Sequence, residues 1–364
     1  MTHRESDLRI GVIGLRRGGS LLRMCQAMGG ARVTALYDID ADRVQVAATE
    51  TGATGFSEFA AFLAAPLDLV VVASPMPFHA EQSIAALEAG HHVLCEVLPC
   101  RTVDEARNIV QAARRSGRRF FVSENCVFYD EIELLRRMHA AGRFGELYFA
   151  EGDYIHDCEG LWFDTAGERT WRGRGELGVY GSHGIGPLLA ITGDRVRDVR
   201  CMALPAGLVN PWVDIPTMHL LEMHTVGGRV FRSRVDVLSP RPHPSTTTFR
   251  LQGTAGSFES DGTGPRIWLA DTHQPSRVDG AASWHDLAPF LDDLLADRRD
   301  AVPLAGGHGN SEYWLFQSVL EAIRTGAECL IELDRGMDMV LPCLVAELAA
   351  ASGDTLPVPD PRDW

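Results

Sequence analysis

Three short stretches hold residues whose types and spacing suit proton transfer. Tyr154, His156 and Asp157 lie in LYFAEGDYIHD (147–157), Tyr180 and His183 in the glycine-rich run 171–187, and His308 and Glu312 in AGGHGNSEYW (305–314). Side chains two apart on a strand point the same way. Tyr154 and His156, with Asp157 beside them, therefore form either an acid/base and sugar-binding surface or a polar strand edge. Six glycines between Gly173 and Gly186 disfavour a helix at the start of that run, so a helix is expected from about His183 to Ile191. A histidine in a first turn feels a field that favours the neutral imidazole. His183 is then a candidate general base near pH 7; local capping or packing is the alternative. Glu96, at a strand end, is either a site acid or a solvated one. The chain contains no lysine, all 34 of its Lys and Arg residues being arginine, so no lysine serves as acid, base or Schiff-base nucleophile.

The elements that would position these groups begin with an alternating pattern over residues 1–124. LRIGVIG (8–14) is a buried strand, followed by Gly14, Arg16, Gly18 and Gly19, a helix over 20–28, and a strand over 32–37 that ends at Asp38. Glycines bring backbone N–H groups close to a pyrophosphate at a helix start. The acid after the second strand can hold ribose hydroxyls and repels a 2′-phosphate, so this order predicts an NAD site, with NADP disfavoured. Read as G-x-G-x-x-G, the fingerprint is Gly14, Arg16 and Gly19, with arginine at the second position; an ordinary βα turn without ligand fits the same residues. DLVVVA (68–73) reads as a parallel, buried strand. Ser74, Pro75 and Pro77 follow at its C-terminal end, where such sheets bind ligands. The prolines either pack on a nicotinamide ring or end the strand. A helix over 79–90, strand 91–96, helix 102–116 and strand 118–123 complete the region.

After residue 124 the pattern changes. A helix over 130–142, the strand 147–157 and strands near 195–204, 217–226, 229–237, 246–253, 256–260 and 266–270 predict a mostly antiparallel sheet. Loops are expected at 239–245 and 271–285, helices at 311–325 and 335–351, and an irregular tail. The fold class is therefore α/β, with a dinucleotide-binding domain over 1–124 and a second, α+β domain over 125–364.

Composition narrows the partners. The net charge of −15 disfavours nucleic acid and anionic membrane surfaces. No apolar run approaches the roughly 20 residues of a membrane span, and no signal peptide precedes the first strand; a cytoplasmic location is expected. Eight scattered cysteines without a CxxC pair suggest neither a zinc site nor a disulfide scaffold, and no histidine or acid spacing suggests a metal. Arg172 and Arg174 are candidates for an arginine cluster beside the pocket that would suit a phosphorylated or acidic sugar; the alternative is that both are surface residues.

The elements GVIG…GG, YDID, VVVASPMPFHA, HHVLCEVLP and FGELYFAEGDY together resemble the Gfo/Idh/MocA oxidoreductases over essentially the whole length. The resemblance implies an N-terminal Rossmann domain, a C-terminal domain with a large, mostly antiparallel open sheet, NAD(H) or NADP(H), and a homodimer or tetramer. It brings His79 and Asn125 into the cofactor set with Gly14, Arg16, Gly18, Gly19, Asp38, Ser74, Pro75, Pro77 and Glu96. Where that family usually carries Glu-Lys-Pro, this chain reads Glu96-Val97-Leu98-Pro99. SENCVFYDEIELLRRM, FGELYFAEGDYIHD, YGSHGIGP and GGHGNSEY are similar to the subgroup containing the NAD-dependent α-N-acetylgalactosaminidases, which likewise has valine after the glutamate. That likeness implies catalytic roles for Tyr154, His156, Tyr180 and His183, and substrate contacts from Glu96, Asp157, Arg172 and His308. The expected function is hydride transfer between nicotinamide and a hydroxyl carbon of a sugar, glycoside or cyclitol. Redox-neutral glycoside cleavage by transient C3 oxidation is the alternative, and a non-catalytic sugar or nucleotide sensor a second one.

Overall fold

The computed structural model describes residues 7–164, 166–174, 179–241, 246–260, 264–270, 284–299 and 310–364. The chain forms two compact units. The first comprises Met1–Asn125, Pro303–Met337 and Asp360–Trp364, and the second Cys126–Val302 and Asp338–Pro359. The boundary after residue 125 lies beside the one read from sequence, but 303–337 and 360–364 belong to the first unit, a return that no local pattern announces.

The first unit runs β1 (Leu8–Ile13), α1 (Leu15–Ala27), β2 (Ala31–Tyr37), α2 (Ala41–Thr51), β3 (Thr54–Phe56), α3 (Phe59–Leu63), β4 (Leu69–Val72), α4 (His79–Glu88), β5 (His92–Cys95), α5 (Val103–Ser116) and β6 (Phe120–Val122). Its six strands lie in the order β3-β2-β1-β4-β5-β6, every pair parallel. All four residues of β4 are buried, as expected of a strand covered by helices on both faces. The order reverses between β1 and β4, which opens the ligand crevice of such sheets at their carboxyl ends. Helix α1 starts five residues earlier than the sequence pattern suggested and passes through Gly18 and Gly19, because Gly18 packs on the sheet: a Cβ there would lie 2.9 Å from Val12. Elements α2, β3 and α3 were not expected from the sequence. Helix α10 (Ser311–Thr325) completes this unit, where Arg324 of α10 donates to the Gly30 carbonyl.

The second unit contains α6 (Asp130–Ala140), β7 (Leu147–Ile155), α7 (Ser182–Thr192), β8 (Val196–Ala203), β9 (Met218–Thr225), β10 (Val230–Asp236), β11 (Thr247–Gly253), β12 (Gly256–Ser260), β13 (Pro265–Leu269), β14 (His285–Asp286), α8 (Ala288–Leu294), α9 (Ala296–Arg299) and β15 (Leu356–Pro357); helix α11 (Leu333–Ser352) begins in the first unit and ends in this one. The nine strands lie in the order β14-β13-β12-β11-β7-β10-β9-β8-β15. Among the described pairs only β7 with β10 is parallel. The tail, expected to be irregular, instead adds β15 to the sheet edge at β8. Phe231, Phe249, Leu251 and Phe258 are fully buried under this sheet.

The opposite face carries one residue in register on each of the eight strands other than β15, alternating in charge: Arg200, Glu222, Arg232, Glu151, Arg250, Glu259, Arg266 and Asp286. Glu151 binds Arg232 at 2.7 Å and Arg250 at 2.9 Å, and Glu259 binds Arg266 at 2.7 Å. No helix among the described residues is long and apolar enough to cross a membrane.

Candidate functional site

In the first unit the turn between β1 and α1 is built for a close approach. Gly14 has φ +84°, and a Cβ there would lie 2.4 Å from the Ser74 nitrogen. The loops after β1 and β4 therefore meet backbone to backbone, as only glycine permits. The helix–sheet contact of the fingerprint falls on Gly18, whereas a Cβ on Gly19 would meet nothing within 4 Å; the third glycine read from the sequence was thus one residue too late. Asp38 ends β2 with one carboxylate oxygen on the Leu15 N–H at 2.7 Å and the other on the Asp40 N–H at 3.0 Å. An acid at the first residue of α1, beside the glycine turn, suits ribose hydroxyls, and this cradle fits NAD.

The remaining expected cofactor positions divide. The Ser74 hydroxyl binds Gln82 at 2.6 Å, and Pro75 precedes a single helical turn over Met76–Phe78 that contains Pro77. Asn125 is buried, its amide 3.3 Å from the Ser311 hydroxyl. His79 is 2% exposed, and its two ring nitrogens face the Leu98 and Ser74 carbonyls at 2.8 and 2.7 Å. It staples the loops after β4 and β5 together. Glu96 is buried, with the Arg17 Nε at 3.1 Å, and Arg17 also reaches the buried Glu312 at 2.8 Å. Sequence reasoning passed over Arg17; its signal was a second arginine beside Arg16 in the glycine turn. Val97 is buried where lysine is usual in Gfo/Idh/MocA proteins.

In the second unit four of the expected residues come together. Alternation along β7 sends Tyr154 and His156 the same way, with the tyrosine hydroxyl 2.8 Å from the His156 Nδ1. Helix α7 brings Tyr180, just before it, and His183, in its first turn, against them: ring centroids lie 5.6 Å apart for Tyr154 and Tyr180, 4.9 Å for Tyr154 and His183, and 5.3 Å for Tyr180 and His183. The helix can sit this close because Gly152 of β7 and Gly184 of α7 touch through their backbones, each leaving only 2.3 Å between a would-be Cβ and the other's carbonyl oxygen. Burial pushes the Tyr154 phenol well above its usual range, and neighbouring Tyr180 and Cys158 add to this. Tyr154 is thus a neutral hydroxyl. Arg172, stacked on Trp171 at 4.1 Å, acts on both Tyr154 and Cys158 with a favourable positive field. Cys158 lies 3.2 Å from the same His156 Nδ1. Asp157 is exposed and caps the following turn at the Glu159 N–H, 3.1 Å away. His308 lies outside the described residues.

Residues 8–124 match the model described as an oxidoreductase family with an NAD-binding Rossmann fold, and residues 129–362 match the glycosyl hydrolase 109 C-terminal domain. A glycosyl hydrolase family 109 protein of Saccharopolyspora erythraea is 31% identical over 88% of this chain and 76% of its own. One from Streptomyces niveus is 32% identical over 89% and 71%. Among solved structures, an oxidoreductase domain protein from Kribbella flavida superposes with a TM-score of 0.82 at 22% identity over 97% of this chain and all of its own. A levoglucosan dehydrogenase in complex with NADH and levoglucosan gives 0.79 at 20% identity over the same shares. These two structures share the fold. With one match on the cofactor cradle and the other over the tyrosine–histidine cluster, the chain is an enzyme with an NAD-binding Rossmann domain, and it belongs to glycosyl hydrolase family 109.

Proposed function

We propose that this enzyme cleaves a glycoside without net redox change: C3 of the sugar is oxidised, the group at C1 is eliminated across C1–C2, water adds, and C3 is reduced again. One observation carries this reading. The second unit gathers two tyrosine–histidine pairs, Tyr180 with His183 and Tyr154 with His156. Oxidation of one hydroxyl needs one proton acceptor, whereas elimination and hydration need a second place to take up and return a proton.

Retained NAD+ supplies a reversible hydride acceptor for C3. His183 takes the C3 hydroxyl proton, and Tyr180 orients that hydroxyl. The ketone so formed acidifies the C2 proton. Tyr154, held neutral by burial, accepts that proton as its own crosses 2.8 Å to the His156 Nδ1. The same path returns it when water adds. Arg172 offers positive charge to the oxygen that becomes negative. Asp157, Glu96 and His308 complete the sugar contacts in this reading. The cofactor contacts are Gly14, Arg16, Gly18, Gly19, Asp38, Ser74, Pro75, Pro77 and Asn125, with NAD used in preference to NADP.

Net oxidation or reduction of a sugar or cyclitol is the second reading. The oxidoreductase match over 8–124 favours it, and it uses His183 and Tyr180 alone. We further read the chain as cytoplasmic and as a homodimer or tetramer, with 1–124 binding cofactor and 125–364 carrying substrate binding and assembly apart from the segments that return to the first unit.

The test is a panel of aryl glycosides, free sugars and cyclitols with and without added NAD+, followed for aglycone release and absorbance at 340 nm in the same wells. Many turnovers of aglycone release without net NADH, with deuterium entering C2 in D2O, is the expected result. Steady NADH production that requires external NAD+ would establish the second reading for that substrate.

A further inference from the structure

We infer that Cys158 is a positioning residue: with the Tyr154 hydroxyl it holds His156 in the tautomer that carries its proton on Nε2 and leaves Nδ1 open. The Cys158 sulfur lies 3.2 Å and the Tyr154 oxygen 2.8 Å from that one nitrogen. The backbone fixes this arrangement. His156 N–H donates to the Asp236 carbonyl at 2.7 Å and Cys158 N–H to the Val237 carbonyl at 2.9 Å, so two residues separated by one share a side of the chain where it leaves β7.

Both neighbours carry a hydrogen to donate. Burial holds the thiol at about 11 and the phenol well above its usual range, so each keeps its proton. A neutral phenol or thiol can accept as well as donate; with either hydrogen turned toward Nδ1, the arrangement we infer, that nitrogen is the unprotonated one. Ionisable groups acting on Tyr154 or Cys158 include Asp157, Arg172, Tyr180, His183 and Cys126, and Cys158 substitutions leave all of them in place.

The consequence rests on the proposed function; the tautomer does not. A proton leaving Tyr154 can enter His156 only if Nδ1 has its lone pair free. In the opposite tautomer Nδ1 already carries hydrogen, and the path from C2 stops at Tyr154. With the thiol in place, Nε2–H is also presented to a sugar oxygen as a donor. No bond to sulfur is made or broken in the cycle.

The experiment uses the full-length protein with 15N-labelled histidine, His156 being assigned through His156→Gln. Wild type and Cys158→Ser are expected to show the Nε2–H form, and Cys158→Ala a mixture of both tautomers. Should the alanine variant not fold, Cys158→Val makes the same comparison. With an aryl glycoside, kcat of Cys158→Ala is expected to fall about fivefold, the worth of one neutral hydrogen bond, with KM unchanged. The acid limb of kcat should move to higher pH, because the neutral imidazole has lost a donor, and serine should restore both. Nδ1–H in the wild type, or a Cys158→Ala spectrum identical to wild type, overturns the inference. If nothing is turned over, the proposed function fails while the spectra still decide the role of Cys158.

Discussion

Gly152 and Gly184 meet backbone to backbone, and that contact sets the spacing of the whole tyrosine–histidine cluster. Helix α7 rests on β7 without intervening side chains, which is why rings carried by a strand and by a helix come within 4.9 Å of each other. Alanine is a better helix former than glycine by about 1 kcal/mol. Gly184→Ala should nonetheless destabilise the protein by about 1–3 kcal/mol, because the methyl must push the helix off the strand. Thermal unfolding measures the loss, and aglycone release should fall with it. A stabilised variant would show that the contact is slack.

Tyr154→Phe removes the hydroxyl that lies 2.8 Å from the His156 Nδ1. It should abolish deuterium exchange at C2 while leaving the reversible oxidation at C3, read as transient absorbance at 340 nm on mixing with substrate. Mass spectrometry of recovered substrate follows C2. Loss of both signals together would assign Tyr154 to binding and remove it from the proton path.

Asp38 holds the Leu15 and Asp40 amides beside the glycine turn, where we propose that it binds a ribose. Asp38→Ser should weaken NAD+ binding at least tenfold, a loss of about 1.4 kcal/mol, while narrowing its margin over NADP+. Calorimetric titration of both dinucleotides reads the ratio, and an unchanged ratio would move the ribose contact elsewhere.

His219 is buried on β9, and burial alone lowers it to about 4 from an ordinary 6.5. Between those values the unfolded chain takes up a proton that the folded chain refuses. Stability contributed by the neutral ring is therefore complete above pH 6.5 and lost as pH falls toward 4, by up to about 3 kcal/mol. Denaturant unfolding of His219→Gln should show a flatter slope over that window than the wild type.

Arg17 bridges two buried carboxylates, Glu96 and Glu312. Arg17→Leu leaves both without that partner and should cost about 1–3 kcal/mol, the penalty of stranding buried acceptors, tempered by the partial exposure of the arginine. Glu312→Gln in the same background should recover part of the loss. An absence of recovery would mean that the two acids are served by other groups.

The sequence carried the parallel sheet plainly, because β4 is a branched apolar run and the glycine turn with Asp38 follows from backbone sterics. Tyr154, His156, Tyr180 and His183 were legible through period-2 spacing and a helix start. Three things were not. The early start of α1 was hidden because glycines suggest a turn, whereas Gly18 serves helix–sheet packing. The stapling of two loops by His79 was hidden because it depends on where the distant Ser74 and Leu98 carbonyls lie. The return of 303–337 to the first unit depends on long-range contacts such as Arg119 with Glu332, which have no local signature.

The alternating row from Arg200 to Asp286 restricts how this chain can vary. Each interior member answers to a neighbour on either side, so reversing Glu151 alone would set three cations abreast at Arg232, the new residue and Arg250. Like charges directly opposite are unfavourable, and reversing Arg232 and Arg250 in turn would set new like pairs against Glu222 and Glu259, so such a step is corrected only by reversing the whole row. Substitution along the row is thus expected to be concerted, and a designer grafting a new surface onto this sheet would have to replace the row as a block.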